Sequence, residues 1–182
     1  MRGRIKTLIT SAVLVVPFLA VPALAAGDGG GGGGSDGASN TSCPKGKVYD
    51  KKSNSCKDAQ RGAVDDDSLY EYGRGLAEAG RYAEAITILS LAADKTDPRI
   101  LNYPGYSHRK AGRVVVALGY YQEALRQNPD YTLVREYLGE AYLQQGDVKA
   151  ARGQLAEIEK RCGKGCREYV LLSDQIDAHV KG

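Results

Sequence analysis

The chain contains no tryptophan, one phenylalanine and one methionine in 182 residues, so its aromatic packing must come from 12 tyrosines. A buried tyrosine ring brings a hydroxyl that needs water or a partner. Charge of one sign is also scarce: 25 basic residues face 22 acidic ones, and Arg2, Arg4 and Lys6 account for the whole excess. Those three sit in a segment with the features of an export signal, and its removal leaves a formal charge of zero. A nucleic-acid partner would require a basic patch that survives processing, and none is evident. Long apolar runs are missing as well. The stretch from Leu8 to Val21 is too short, and too interrupted by Pro17, for a stable membrane helix.

What is present divides the chain into zones. Residues 1–25 combine basic "MRGRIK", an apolar centre and small residues at Ala23 and Ala25, the pattern of a cleaved signal peptide. No cysteine follows the expected cut at Ala25 or Ala26, which disfavours acylation, so the mature protein is expected in the periplasm or outside the cell. Residues 26–42, "AGDGGGGGGSDGASNTS", have almost nothing to bury and read as a flexible linker. No Gly-Lys-Ser/Thr closes this run, so it is not a phosphate loop. Residues 43–60 form a cysteine-bounded stretch, rich in Lys, Gly, Asn and Ser, that reads as a loop.

Four cysteines allow three pairings. Local pairing, Cys43 with Cys56 and Cys162 with Cys166, is preferred because each pair closes one short segment of an exported chain. The alternatives are a redox pair at Cys162 and Cys166, for which the spacer is one residue too long, and a four-cysteine zinc site, for which both ends of the domain would have to meet.

Between the cysteine pairs, apolar residues recur at helical spacing, and three glycine turns repeat: "EAGRYAEA" at Gly80, "KAGRVVVA" at Gly112 and "QQGDVKAA" at Gly146. Their intervals of 32 and 34 residues match the length of a helical hairpin. Seven residues before each turn stands a glycine (Gly73, Gly105, Gly139), and five after it an alanine (Ala85, Ala117, Ala151). These pairs are expected to let the two helices of each hairpin approach closely, with larger residues, among them Leu89, Tyr121 and Leu155 nine after the turn, filling the space around the contact. His108 falls where Leu76 and Tyr142 stand in the sister units, with no Cys, Asp or Glu one turn away, which makes it a packing residue rather than a ligand. Pro104 lies inside the first helix of the second unit, where it must delay the helix start or kink it.

In these features, above all "YLGEAYLQQGDVKAARGQL", "EYGRGLAEAGRYAEAITIL" and "YYQEALRQNPDY", the sequence resembles the tetratricopeptide repeat family. The resemblance implies an all-α fold in which three helical hairpins, over 66–97, 98–131 and 132–165, stack as a short superhelix. A capping helix over 166–182 covers the last one. The order of signal, cysteine loop, repeats and "CGKGC" also resembles small exported repeat proteins of rhizobia-related bacteria.

Family alignment implies a binding groove on the first helix of each repeat. Its candidate residues are Tyr70 and Arg74, then Asn102, Tyr106, Arg109 and Lys110, then Glu136 and Glu140. The tyrosines offer broad contact area, and Arg74, Arg109 and Lys110 could receive a carboxylate. The lysine and asparagine clamp by which some relatives hold chaperone C-termini is missing: Tyr70, Arg74, Tyr103, Leu133 and Tyr137 stand at those positions. Glu136 and Glu140 share one helix and do not face each other as a hydrolytic pair must. No nucleophile elbow, metal set or cofactor motif occurs, so neither catalysis nor a cofactor is expected.

The resulting expectation is a non-enzymatic scaffold for a protein or peptide of the cell envelope. Its rivals are a self-associating structural protein using an apolar patch around Val170, Leu171 and Ile176, and a thiol redox protein using Cys162 and Cys166. Intact-mass analysis of the exported protein should give a mature chain beginning at Ala26 or Gly27. A product that retains Arg2 and Arg4 would contradict the signal assignment.

Overall fold

The computed structural model describes residues 43–181; the signal segment 1–25 and the linker 26–42 lie outside the described residues. Two short strands, β1 (Lys47–Asp50) and β2 (Ser55–Asp58), precede seven helices: α1 (Asp66–Glu78), α2 (Tyr82–Leu89), α3 (Pro98–Lys110), α4 (Val114–Gln127), α5 (Thr132–Gln144), α6 (Val148–Cys162) and α7 (Arg167–Lys181). The helices form three antiparallel-type pairs, α1–α2, α3–α4 and α5–α6, with α7 packed on α5 and α6. The fold is all-α apart from the N-terminal hairpin. No helix among the described residues is long and apolar enough to cross a membrane.

The repeated turns have one local cause. Gly80, Gly112 and Gly146 have φ of 78°, 78° and 76°, in the left-handed region that costs a side chain dearly. Each turn donates two backbone hydrogen bonds into the helix it ends, as with Gly80 N to Ala77 O and Arg81 N to Leu76 O, the pattern by which a glycine stops a helix. Aspartates set the starts of α1, α3 and α6. The side chains of Asp65, Asp97 and Asp147 accept hydrogen bonds from the backbone of Ser68, Arg99 and Ala150 and so satisfy donors the helix leaves free.

Residues 43–60, expected as a loop, contain an antiparallel hairpin with Lys47 opposite Asp58 and Tyr49 opposite Cys56. Val48 explains it: fully buried, it joins the first core cluster with Val64, Leu69 and Leu89. A single apolar residue in a strand of four leaves almost no alternation to read in the sequence. Asn54, at φ 48°, makes the turn, and buried Asp50 organises it by accepting from the Ser53 hydroxyl and pairing with Lys57. The lysine and serine contacts hold the Asp50 carboxyl down at about 2. Cys43 is bonded to Cys56 and Cys162 to Cys166, and no described cysteine is free.

α3 begins at Pro98, so Pro104 does not delay it; its buried ring lies within an assigned helix that runs on to Lys110. Having no N–H, Pro104 leaves the Ile100 carbonyl without its intrahelical donor.

Large side chains close over the hairpin glycines, as expected in the first two units. A Cβ on Gly73 would lie 2.5 Å from Leu89 Cγ, and one on Gly105 would lie 2.7 Å from Tyr121 Cε1. In both, the large residue nine positions after the turn fills the space over the glycine. In the third unit the space over Gly139 is taken by Leu172 of α7, whose Cδ2 is 2.5 Å from the Cβ position, instead of by Leu155.

These contacts give two substitutions of opposite sign. Gly105→Ala should destabilise the fold by about 1–3 kcal/mol through overpacking against Tyr121. Gly75→Ala, at an exposed helical position with open space around it, should add about 0.5–1 kcal/mol. Urea unfolding of both variants checks the pair of signs.

Candidate binding face

The first helices α1, α3 and α5 contribute equivalent positions to one face. Counting back from each turn glycine, Tyr70, Asn102 and Glu136 stand ten residues before it, and Arg74, Tyr106 and Glu140 stand six before. α1 touches α3, and α3 touches α5.

Tyrosine rings run across these helices. Tyr70 lies 5.8 Å from Tyr103, Tyr103 lies 6.1 Å from Tyr106, Tyr106 lies 5.2 Å from Tyr137, and Tyr137 lies 6.3 Å from Tyr121 on α4. All are tilted, the arrangement that suits ring quadrupoles. Burial raises the hydroxyls of Tyr70, Tyr103, Tyr106, Tyr121 and Tyr137 above the usual phenol range, so they remain protonated donors. Cations decorate the rings: the Arg99 guanidinium is 5.1 Å from the Tyr70 centroid and Lys110 Nζ is 5.7 Å from that of Tyr106. Arg99 also bridges Asp67 of α1 and Asp97 at the start of α3.

Beneath the rings sits Arg109, only 4% exposed. It forms an ion pair with Glu140 of α5, donates from Nε to the Tyr121 hydroxyl at 3.4 Å, and lies 5.6 Å and 5.4 Å from the Tyr106 and Tyr137 centroids. Glu140 also accepts from Gln175 of α7 at 2.5 Å.

The eight residues expected to line a groove therefore separate. Tyr70, Arg74, Tyr106 and Glu140 are partly exposed and Lys110 is exposed, while Asn102, Arg109 and Glu136 are buried. The expectation that Arg109 receives a ligand's carboxylate gives way, because its guanidinium is already committed to Glu140 and Tyr121. Arg74 has neighbours of its own, Glu71 at 3.7 Å and Glu78 at 4.0 Å. Tyr103, which is buried, and Tyr137 complete the aromatic run; both stand at the clamp positions of some relatives but were not expected to contact a ligand. Their 34-residue separation, the length of one repeat, was the available signal.

Other candidates resolve on geometry. His108 stacks on Tyr120 at 5.5 Å and accepts from Arg113 Nε at 2.8 Å. Burial, then the Arg113 charge, pushes its pKa down, which keeps it neutral as a packing residue. Cys162, Cys166 and Glu168 bring possible ligand atoms within 4.8 Å of one another, but the two sulfurs are joined and offer no thiolate. Of the apolar patch expected on α7, Val170 is exposed, whereas Ile176 is buried in the third core cluster.

Residues 105–165 match the tetratricopeptide repeat family. No curated protein matches the chain in sequence. Among solved structures, the Yersinia enterocolitica type III secretion chaperone SycD, in complex with a peptide of the translocator YopD, is 18% identical with a TM-score of 0.53, over 63% of this chain and 88% of that one. PcrH, in complex with the chaperone binding region of PopB, is 22% identical with a TM-score of 0.54, over 65% and 98%. The first tetratricopeptide domain of human RPAP3 is 19% identical with a TM-score of 0.58, over 64% and 92%. At these identities the likeness is one of fold.

Glu136 gives the face a pH dependence. Burial first, then Glu140 and Glu168, raise its carboxyl from 4.5 to about 8, against the opposing pull of Arg109 and Arg167. A carboxyl raised in the folded state contributes most below pH 4.5, and that contribution is lost as pH rises through about 8. Unfolding free energy should therefore fall over this window with a slope of up to about 1.4 kcal/mol per pH unit. Glu136→Gln should flatten it, as measured by urea unfolding at a series of pH values.

Proposed function

We propose that this tetratricopeptide-repeat chain is a non-enzymatic scaffold that holds a protein or peptide segment on the α1–α3–α5 face. The observation that carries this reading is the tyrosine cluster in which Tyr70, Tyr106 and Tyr137 reach the surface around the buried ring of Tyr103, edged by Arg74, Arg99 and Lys110. Tyrosine supplies wide contact area at small entropic cost, and its hydroxyl can meet a peptide backbone as donor or acceptor. Such a surface suits an extended chain better than a small substrate. That SycD and PcrH, which share the fold, are in complex with segments of other proteins supports the same use here. The export signal, the linker and the order of cysteine segments, which resembles exported repeat proteins, support a place in the periplasm or outside the cell.

A photo-crosslinking amino acid at position 106 tests the face, with the same group at position 115 as control, since Val115 is exposed on α4. Expressed in the protein's own host, the 106 variant should trap a defined segment of another envelope protein, and the 115 variant should not. Tyr106→Ala, introduced into the untagged competitor, should weaken competition by about tenfold or more. Equal trapping from both positions, or trapping of a second copy of this chain alone, would overturn the proposal in favour of self-association.

A further inference from the structure

Between the crosslinked hairpin and α1 lies a cavity of about 450 Å³, with Tyr49, Lys51 and Asn54 on the hairpin side and Glu71, Tyr72 and Arg74 on the helix side. β1 and α3 both pack on α1, and Arg74 is common to the cavity and to the tyrosine face, so the cavity adjoins the α1 end of that face. Two hydroxyls are already placed: Tyr49 donates to Asn54 Oδ1 at 3.3 Å, and Tyr72 donates to the Cys43 carbonyl at 3.4 Å. Their rings remain as walls, and Asn54 Nδ2 is left to donate. The charged side chains decide what enters.

Of the charged side chains that line the cavity, Lys51 and Arg74 are cations and Glu71 alone is an anion. Glu71 stands between the two beyond hydrogen-bond reach of either, 3.9 Å from Lys51 Nζ and 3.7 Å from Arg74 Nη2. The other lysines of the hairpin nearby are committed elsewhere, Lys57 to Asp50 and Lys52 to Asp65. Arg74 is not. Its Nε is buried and has no acceptor, and Glu78, 4.0 Å away, lies outside the cavity lining and accepts from the Tyr103 hydroxyl instead. Native structures seldom leave a buried donor unpaired. An ammonium and a guanidinium only donate, so the missing partner is an acceptor, and the surplus positive charge of the lining asks for an anionic one.

We infer that this cavity is a carboxylate subsite, in which Lys51 of the hairpin and Arg74 of α1 together receive a carboxylate of the segment held on the tyrosine face. The inference rests on the reading that a segment lies along that face, and it names one group that segment must carry. It also gives the hairpin a part in binding: the Cys43–Cys56 crosslink closes the hairpin that brings Lys51 to the helix, so the contact comes from outside the repeats. A chain end and an acidic side chain present the same two oxygens to such a pair, and the test separates them.

The test uses the oxidised mature protein labelled with 15N and reads the Arg74 Nε–H, assigned by its loss in Arg74→Lys, together with the Lys51 and Asn54 backbone amides. The probes, compared at one ionic strength, are N-acetyl-dialanine with a free chain end, N-acetyl-glutamyl-alaninamide with a side-chain carboxylate, and N-acetyl-dialaninamide with neither. At least one acid should shift these signals saturably, the tighter acid identifying the source, and the neutral probe should not. Lys51→Gln, at an exposed position, should weaken the acid about threefold, and Glu71→Gln, which removes the competing carboxylate, should tighten it by a similar factor. Gly75 also lines the cavity, and a Cβ there meets nothing within 4 Å, so Gly75→Leu should block the site without touching a charge. Equal shifts with all the probes, none up to the solubility limit of the acids, or a response that Gly75→Leu leaves unchanged would overturn the subsite. Such a result alongside a segment trapped at position 106 would sink the subsite alone. Acid-specific shifts with no segment trapped there would sink the scaffold reading and leave the carboxylate site standing.

Discussion

Arg109 is the residue on which the arrangement of helices turns. A single guanidinium, almost wholly removed from water, reaches Tyr121 of its own hairpin, Glu140 of the next, and through Glu140 the Gln175 amide of α7. It also underlies the rings of Tyr106 and Tyr137. Removing one member of such a buried pair leaves the other charge stranded, at a cost of about 3–5 kcal/mol. The pair therefore acts less as a source of stability than as a fixed registration of the second hairpin, the third and the cap. The tyrosine surface inherits its shape from that registration.

The absence of tryptophan and near-absence of phenylalanine acquire a structural meaning here. In each of the first two hairpins a residue nine after the turn lies on a bare glycine, Leu89 in one and Tyr121 in the other. The leucine needs nothing further, but the tyrosine brings a hydroxyl into the interior, and Arg109 is the donor that meets it. A core built with tyrosine must include polar partners, and those partners bring charge to the middle of the molecule. Glu140 is the next step in that chain of requirements, and the carboxyl of Glu136 one turn before it is raised to about 8 by burial and by the Glu140 charge.

Much of the scaffold was legible in the sequence because backbone geometry leaves local marks. A left-handed turn asks for glycine, and the intervals between Gly80, Gly112 and Gly146 follow from helix length. What escaped was set by contacts between distant segments. The hairpin around Val48 depends on a core assembled from α1 and α2, which a four-residue strand cannot announce. Leu172 over Gly139 comes from outside the repeat, so no periodicity could reveal it. Arg109 occupies an apparently solvent-facing position of an amphipathic helix, and only the neighbouring helix turns that position into an interior. For the same reason the eight expected face residues came out as a mixture of surface and interior, although all lie on the helices the alignment indicated.

In a linear array each unit is held only by its neighbours, so the end units would ordinarily fray first. Here neither end is left loose. At the start, the crosslinked hairpin inserts Val48 into the first core, the Lys51 backbone N–H donates to the Ser68 hydroxyl, and Lys52 pairs with Asp65, which caps α1. At the finish, a second crosslink spans the joint between α6 and α7, and Leu172 fills the space over Gly139. A short stack secured in this way opens as a single cooperative body rather than peeling from its termini. This removes the partly unravelled states through which proteases first cut repeat chains.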